Sequence, residues 1–121
     1  MKASVKPHPE TIYARIHNDV SIILKVDGAR EARWVEAEIY VPEKLSLASD
    51  TNLRKGRMRV GIVEKGEGLE KSVRVYADEY TDAQQYACKA IVFTYDRDGV
   101  IDERIEIPFT LRAEEQKPSV L

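Results

Sequence analysis

Cysteine is almost missing from this chain. Its 121 residues include one, Cys88, so no internal disulfide can form and a reducing compartment is expected. Histidine is nearly as scarce, and His8 and His17 lie too far apart to frame a zinc site with a single cysteine. An excess of either charge is missing too: 19 basic residues face 21 acidic ones, for a net charge of −2. That balance argues against a surface dedicated to nucleic acid or to anionic membrane. No apolar run approaches the ~18 residues of a membrane-spanning helix, and residues 1–10 hold no apolar core of signal-peptide length. The expected location is therefore the cytoplasm. There are no internal repeats or low-complexity tracts, and helical periodicity is absent apart from a single turn near Asp78 to Gln85.

The elements of catalysis are equally sparse. Neither a Ser-His-Asp nor a Cys-His grouping can be read from the order of residues. Gly61, Gly66 and Gly68 follow strand-like runs but open no helix, so they form no phosphate loop. Asp96, Asp98 and Gly99 copy the middle of a calcium loop, yet Thr94 and Ile105 stand where its first and bidentate last ligands belong. That stretch is a turn. The expectation is a protein with no enzymatic activity, no cofactor and no metal.

What is present is alternation. Ile12, Ala14 and Ile16 form one alternating set; Val20, Ile22, Leu24 and Val26 a second; Val35, Ala37, Ile39 and Val41 a third. Met58, Val60 and Ile62 follow, then Val73, Val75 and Ala77. Asn18-Asp19 and Asp27-Gly28 punctuate these sets as turns. About eight short strands at regular spacing predict an all-β sandwich or barrel of one domain. Residues 1–10 read as an irregular lead-in, 11–112 as the domain and 113–121 as a tail. The charged fraction, 33%, exceeds the usual value of about 25% and suits a thermostable protein laced with surface ion pairs.

Tyr86 to Leu111 predicts a β-hairpin around Asp96-Arg97-Asp98-Gly99. Its second strand places Ile101, Ile105, Ile107, Phe109 and Leu111 on one face and charged residues on the other. Opposed residues in a hairpin point the same way, and a two- or four-residue loop pairs odd with even positions. Tyr86, Cys88, Ala90 and Val92 therefore face inward. A four-residue loop also sets Lys89 opposite Glu106.

Asp82, Tyr86 and Cys88 have the Asp-x-x-x-Tyr-x-Cys spacing of immunoglobulin domains. This resemblance implies a tyrosine corner at Tyr86, whose hydroxyl bonds nearby backbone, and a core-facing Cys88. No second cysteine lies near Val20 to Val26, so the inter-sheet bridge of that family is missing. Trp34 is spaced like the family's core tryptophan, but it shares the parity of Glu36 and Glu38, which points outward. The span from Asn18 to Arg112 resembles bacterial and archaeal immunoglobulin-like modules of the CARDB (cell-adhesion-related) type. The matching features are Pro42-Glu-Lys-Leu-Ser-Leu47, Ser72-Val-Arg-Val75 and the Asp-Gly hairpin. The resemblance implies an antiparallel β-sandwich of seven to eight strands used for adhesion, assembly or ligand presentation.

Parity then turns Ile91, Phe93 and Tyr95 outward, together with Trp34 and Tyr40 of a neighbouring strand. A shared patch of large apolar side chains marks an interaction site. Two alternatives remain at this point: a bulge between Tyr86 and Ile91 that buries Phe93, or an N-terminal segment that covers the face. The expected function is a non-catalytic binding or structural module that pairs with itself or a protein partner through Trp34, Tyr40, Ile91, Phe93 and Tyr95. The other reading is a carbohydrate- or small-ligand-binding module. The basic run Leu53 to Arg59 reads as a solvated loop and edge strand whose charge discourages edge pairing, with an acidic partner as the other use.

Overall fold

A computed structural model describes residues 1–116 of the chain. Among them the architecture is all-β: β1 (Lys2–His8), β2 (Thr11–Tyr13), β3 (Asn18–Asp27), β4 (Arg33–Tyr40), β5 (Lys55–Val63), β6 (Leu69–Ala77), β7 (Gln85–Tyr95) and β8 (Ile101–Glu114). Two sheets result, one ordered β1-β3-β6 and the other β2-β8-β7-β4-β5. Pairing is antiparallel except where β2 runs parallel to β8. No helix among the described residues is long and apolar enough to cross a membrane.

The alternation becomes a core between the sheets. Val20, Ile22, Leu24 and Val26 of β3 are buried against Val35, Ala37 and Ile39 of β4 and Ala90 and Val92 of β7, while Val75, Ala77 and Leu111 close the same interior. The hairpin reads as expected in parity: Tyr86, Cys88, Ala90 and Val92 lie opposite Leu111, Phe109, Ile107 and Ile105. Its turn is held by Asp96, whose carbonyl accepts the Gly99 amide at 3.0 Å while Gly99 takes φ 77°. Register differs by two positions from the four-residue loop: the loop closes at Tyr95↔Ile101 and so holds five residues, and β8 carries one extra residue, Asp102, between the partners of Tyr95 and Thr94, which restores the parity. Lys89 thus sits opposite Pro108, yet its ammonium still reaches the Glu106 carboxylate diagonally at 3.3 Å.

Five expectations are corrected. Residues 2–8 are not a lead-in but a full strand, paired with β3 from Lys2↔Asp27 to His8↔Ser21. Its alternation is built from small or awkward residues: Ala3 and Val5 pack on the core, and Pro7 is tolerated because β1 is an edge. Ile16 is exposed, since the chain turns at Arg15 (φ 63°) before the alternation reaches it. Ile101 is exposed at the shifted end of the hairpin. Strand β8 runs to Glu114, two residues into the expected tail; residues 117–121 of that tail lie outside the described residues.

The fifth correction decides the functional face. Ile62 was expected to continue the inward set of Met58 and Val60, but it is 53% exposed and Val63 is buried instead. A bulge intervenes: Gly61 pairs with Val35 and Arg59 with Glu36, leaving Val60 as the extra residue. Gly61 adopts φ 137°, a backbone that other residues avoid, and a Cβ there would meet Leu69 Cδ2 at 3.2 Å. Gly61→Ala should therefore destabilise the domain by about 1–3 kcal/mol. Urea denaturation checks this, and an unchanged midpoint would show that the bulge carries no strain-sensitive backbone.

Candidate functional site

Strands β5, β4 and β7 lie side by side, and their outward positions meet in rows. Trp34 pairs with Ile62 and Tyr95; Glu36 with Arg59 and Phe93; Glu38 with Arg57 and Ile91; Tyr40 with Lys55 and Lys89. All the expected interface residues (Trp34, Tyr40, Ile91, Phe93 and Tyr95) thus share the face turned away from the core. They are not equally accessible. Trp34 is 38% exposed, Tyr40, Phe93 and Tyr95 are half-buried, and Ile91 is only 4% exposed.

The cover is neither a bulge in β7 nor the N-terminal segment, which belongs to the other sheet. It comes from long cations on β5 lying over the aromatic rings. The Arg57 guanidinium sits 4.8 Å from the centre of the Phe93 ring. From there it donates to Tyr95 Oη at 2.6 Å, to Glu38 Oε1 at 2.8 Å and to Glu36 Oε1 at 3.2 Å. Lys55 and Lys89 flank Tyr40 at 5.3 and 4.9 Å, and Arg59 lies 5.8 Å from the Trp34 ring. Stems of such side chains cover apolar surface while their heads stay wet, and their charge suits the negative face of an aromatic ring.

Glu38 anchors this roof from below. It is almost wholly covered, yet it accepts from the Tyr40 hydroxyl and the Arg57 guanidinium and lies 3.6 Å from the Lys55 ammonium. The Tyr40 hydrogen bond holds its carboxyl below the usual range, against the opposing effect of burial, and the Lys55 and Arg57 charges add to the lowering. The Glu36 hydrogen bond in turn raises the Arg57 guanidinium. Opposite charges paired across strands therefore fix the middle of the face.

The roof ends at one corner. Ile62, turned outward by the Gly61 bulge, stands beside Trp34 and near Tyr95. A cleft of about 500 Å³ opens there, lined by Trp34, Ile62 and Tyr95 with Arg33, Glu36 and Arg97 at its margin. Arg33 is engaged by Asp102 at 3.0 Å and by Glu31. Among the described residues neither Arg59 nor Arg97 has a carboxylate partner within salt-bridge distance. Ile62, Arg57, Arg59 and Arg97 were missed as members of the site. The glycine inside the β5 pattern was the available signal for Ile62, and the Lys-x-Arg-x-Arg spacing opposite Glu36 and Glu38 was the signal for the roof.

Other sequence candidates fall elsewhere. Cys88 is buried, and burial pushes its thiol up to about 12. His17 is exposed with Glu79 at 3.7 Å, far in sequence and strand order from Cys88. Asp96 spends its carboxylate on the amides of Asp98 and Val100 at 2.9 and 3.0 Å. No group of three or more His, Cys, Asp or Glu side chains that could hold a metal occurs among the described residues. A second cleft of about 420 Å³ near His17, Lys44 and Asp78 is edged by Ser46, whose hydroxyl is used up by Thr51, Ala48 and Leu53 of its own loop. No protein-family model and no curated protein matches the chain.

Because Glu38 is lowered in the folded state, its charge contributes stability above its ordinary value of 4.5, and this contribution drains away as pH falls through the folded value. Glu38→Gln should have the lower denaturation midpoint at neutral pH, and the gap to wild type should narrow below about pH 4.5. A gap that stays constant into stronger acid would mean that Glu38 acts by shape rather than by charge.

Proposed function

We propose that this chain is a non-catalytic, immunoglobulin-like β-sandwich module that binds a protein partner through the outer face of its five-stranded sheet, centred on Trp34, Ile62 and Tyr95. The order β1-β3-β6 against β2-β8-β7-β4-β5 supports the immunoglobulin-like reading, since strands A-B-E and A′-G-F-C-C′ are arranged that way. So does Tyr86, whose hydroxyl donates to the Asp82 carbonyl at 3.0 Å in the manner of a tyrosine corner. Likeness to a CARDB-type module remains part of this proposal, with adhesion or assembly as the kind of task it fits.

One observation carries the binding reading. An exposed tryptophan and an exposed isoleucine stand side by side on this face, Trp34 still 38% exposed although Arg59 lies 5.8 Å from its ring. Tryptophan in such a setting is the residue type most enriched at the energetic centres of interfaces. A second reading, a carbohydrate or other small ligand stacked on Trp34, draws on the cleft itself, whose about 500 Å³ falls within the range of ligand pockets.

A displayed random-peptide library, selected on the domain and counter-screened on a Trp34→Ala, Ile62→Glu variant, tests the proposal. Peptides that hold the wild type at least about tenfold tighter and shift Trp34 emission are expected. Binders indifferent to the double substitution would overturn it. No binders, together with Trp34-dependent hits on a glycan panel, would transfer the corner to the second reading.

A further inference from the structure

We infer that the partner presents an extended acidic strand that adds to the open edge of β5, with carboxylates against Arg59 and Arg97 and one large apolar side chain in the Trp34–Ile62 cleft. This rests on the binding reading above and supplies the chemistry of its partner.

The edge comes first. β5 closes the order of the large sheet, and its ladder runs to β4 alone. Among the described residues, no backbone hydrogen bond outside that ladder involves Lys55 to Val63. The remaining edges are blunted. β1 carries Pro7, which lacks an amide to donate, β2 has three residues, and β6 is bridged by Ser46 at Tyr76, towards its C-terminal end. The edge of β5 is thus open to main-chain pairing with another chain, provided that chain answers its cations.

Charge then selects the chain. Lys55, Arg57 and Arg59 occupy alternate outward positions, so the outward residues of an added strand fall opposite them. Their own sheet answers with two carboxylates, Glu36 and Glu38, which hold Arg57 and Lys55. Arg59 is left over, and Arg97 beside the cleft is left over as well. Arg59 over Trp34 and Arg97 at the cleft thus bring two cations without an ion-pair partner among the described residues to one corner, where the carboxylate of Asp96 is engaged by the Asp98 and Val100 amides. A second copy is disfavoured at this edge in the register centred on Arg57. Antiparallel pairing of β5 with itself about Arg57 would set Arg57 against Arg57 and Lys55 against Arg59, and like charges directly opposed are destabilising. The repulsion that rejects a copy favours an acidic strand.

The bulge sets the length. Regular pairing with β4 holds from Lys55 to Arg59 and breaks at Val60, so the added strand is short. Past the break Ile62 faces outward beside Trp34, where an apolar residue at the end of the strand would be seated.

The probe is a synthetic peptide of about ten residues alternating Glu with Val and ending in Leu, long enough at about 3.4 Å per residue to pair along Lys55 to Arg59 and carry its last residue past the bulge to Ile62. Binding is read from Trp34 emission and from amide exchange in β5. Expected are slowed exchange along Lys55 to Arg59, weakening with salt, and a loss of about tenfold or more with either Arg59→Glu or Arg97→Glu. The Arg97 variant lies on a loop and guards against damage to the strand. A peptide of the same composition with its Glu residues grouped should bind at least about tenfold more weakly, and a Lys-Val peptide not at all. Absence of binding, equal binding by the grouped peptide, indifference to both charge reversals, or full displacement by an unstructured polyanion would each overturn the inference. If the alternating peptide fails while library peptides still bind at Trp34, the strand inference falls and the binding module stands.

Discussion

Arg57 holds the outer face together. From the edge strand β5 it reaches across β4 to β7, stacking on Phe93 and donating to Glu36, Glu38 and Tyr95. Three strands are thereby tied on the solvent side by one guanidinium, whose planar fork of donors fits carboxylates and an aromatic face at once. Phe93 would otherwise present apolar surface at the centre of an exposed sheet. The same side chain makes the corner special, because apolar surface stays open only beyond its reach, at Trp34 and Ile62.

Two irregularities in the backbone aim the parts. The bulge at Val60 and Gly61 turns Ile62 outward and Val63 inward, so one strand serves the core at both ends and the corner in between. The shift at Thr94 and Tyr95 brings Asp102 within reach of Arg33, which settles that cation and leaves Arg59 and Arg97 unanswered. Bulges that re-aim side chains are expected beside functional surfaces.

Strand parity made much of this legible. The inward set Tyr86, Cys88, Ala90 and Val92 and the outward row Trp34, Tyr40, Ile91, Phe93 and Tyr95 have the expected parity, although the loop holds five residues rather than four and the extra residue Asp102 compensates for it. Parity is a local property and fails where the backbone inserts a residue, which is why Ile62 and Ile101 were misplaced. Strand β1 escaped because Ala3 and Val5 are small and prolines flank His8, a composition that also describes a loop. Exposure was the deeper miss. Whether Phe93 meets water depends on where Arg57 places its guanidinium, and that depends on Glu36, Glu38 and Tyr95 being brought together from distant parts of the chain. No window along the sequence contains that information.

Coupling between Arg57 and Phe93 tests the roof most directly. Chemical denaturation of wild type, Arg57→Ala, Phe93→Ala and the double variant forms a cycle in which independent residues would add. If the guanidinium covers the ring, the double variant loses clearly less stability than the sum of the two single losses. Strict additivity would mean that Arg57 and Phe93 do not stabilise one another, and that the outer face is open along its whole length rather than at the Trp34–Ile62 corner alone.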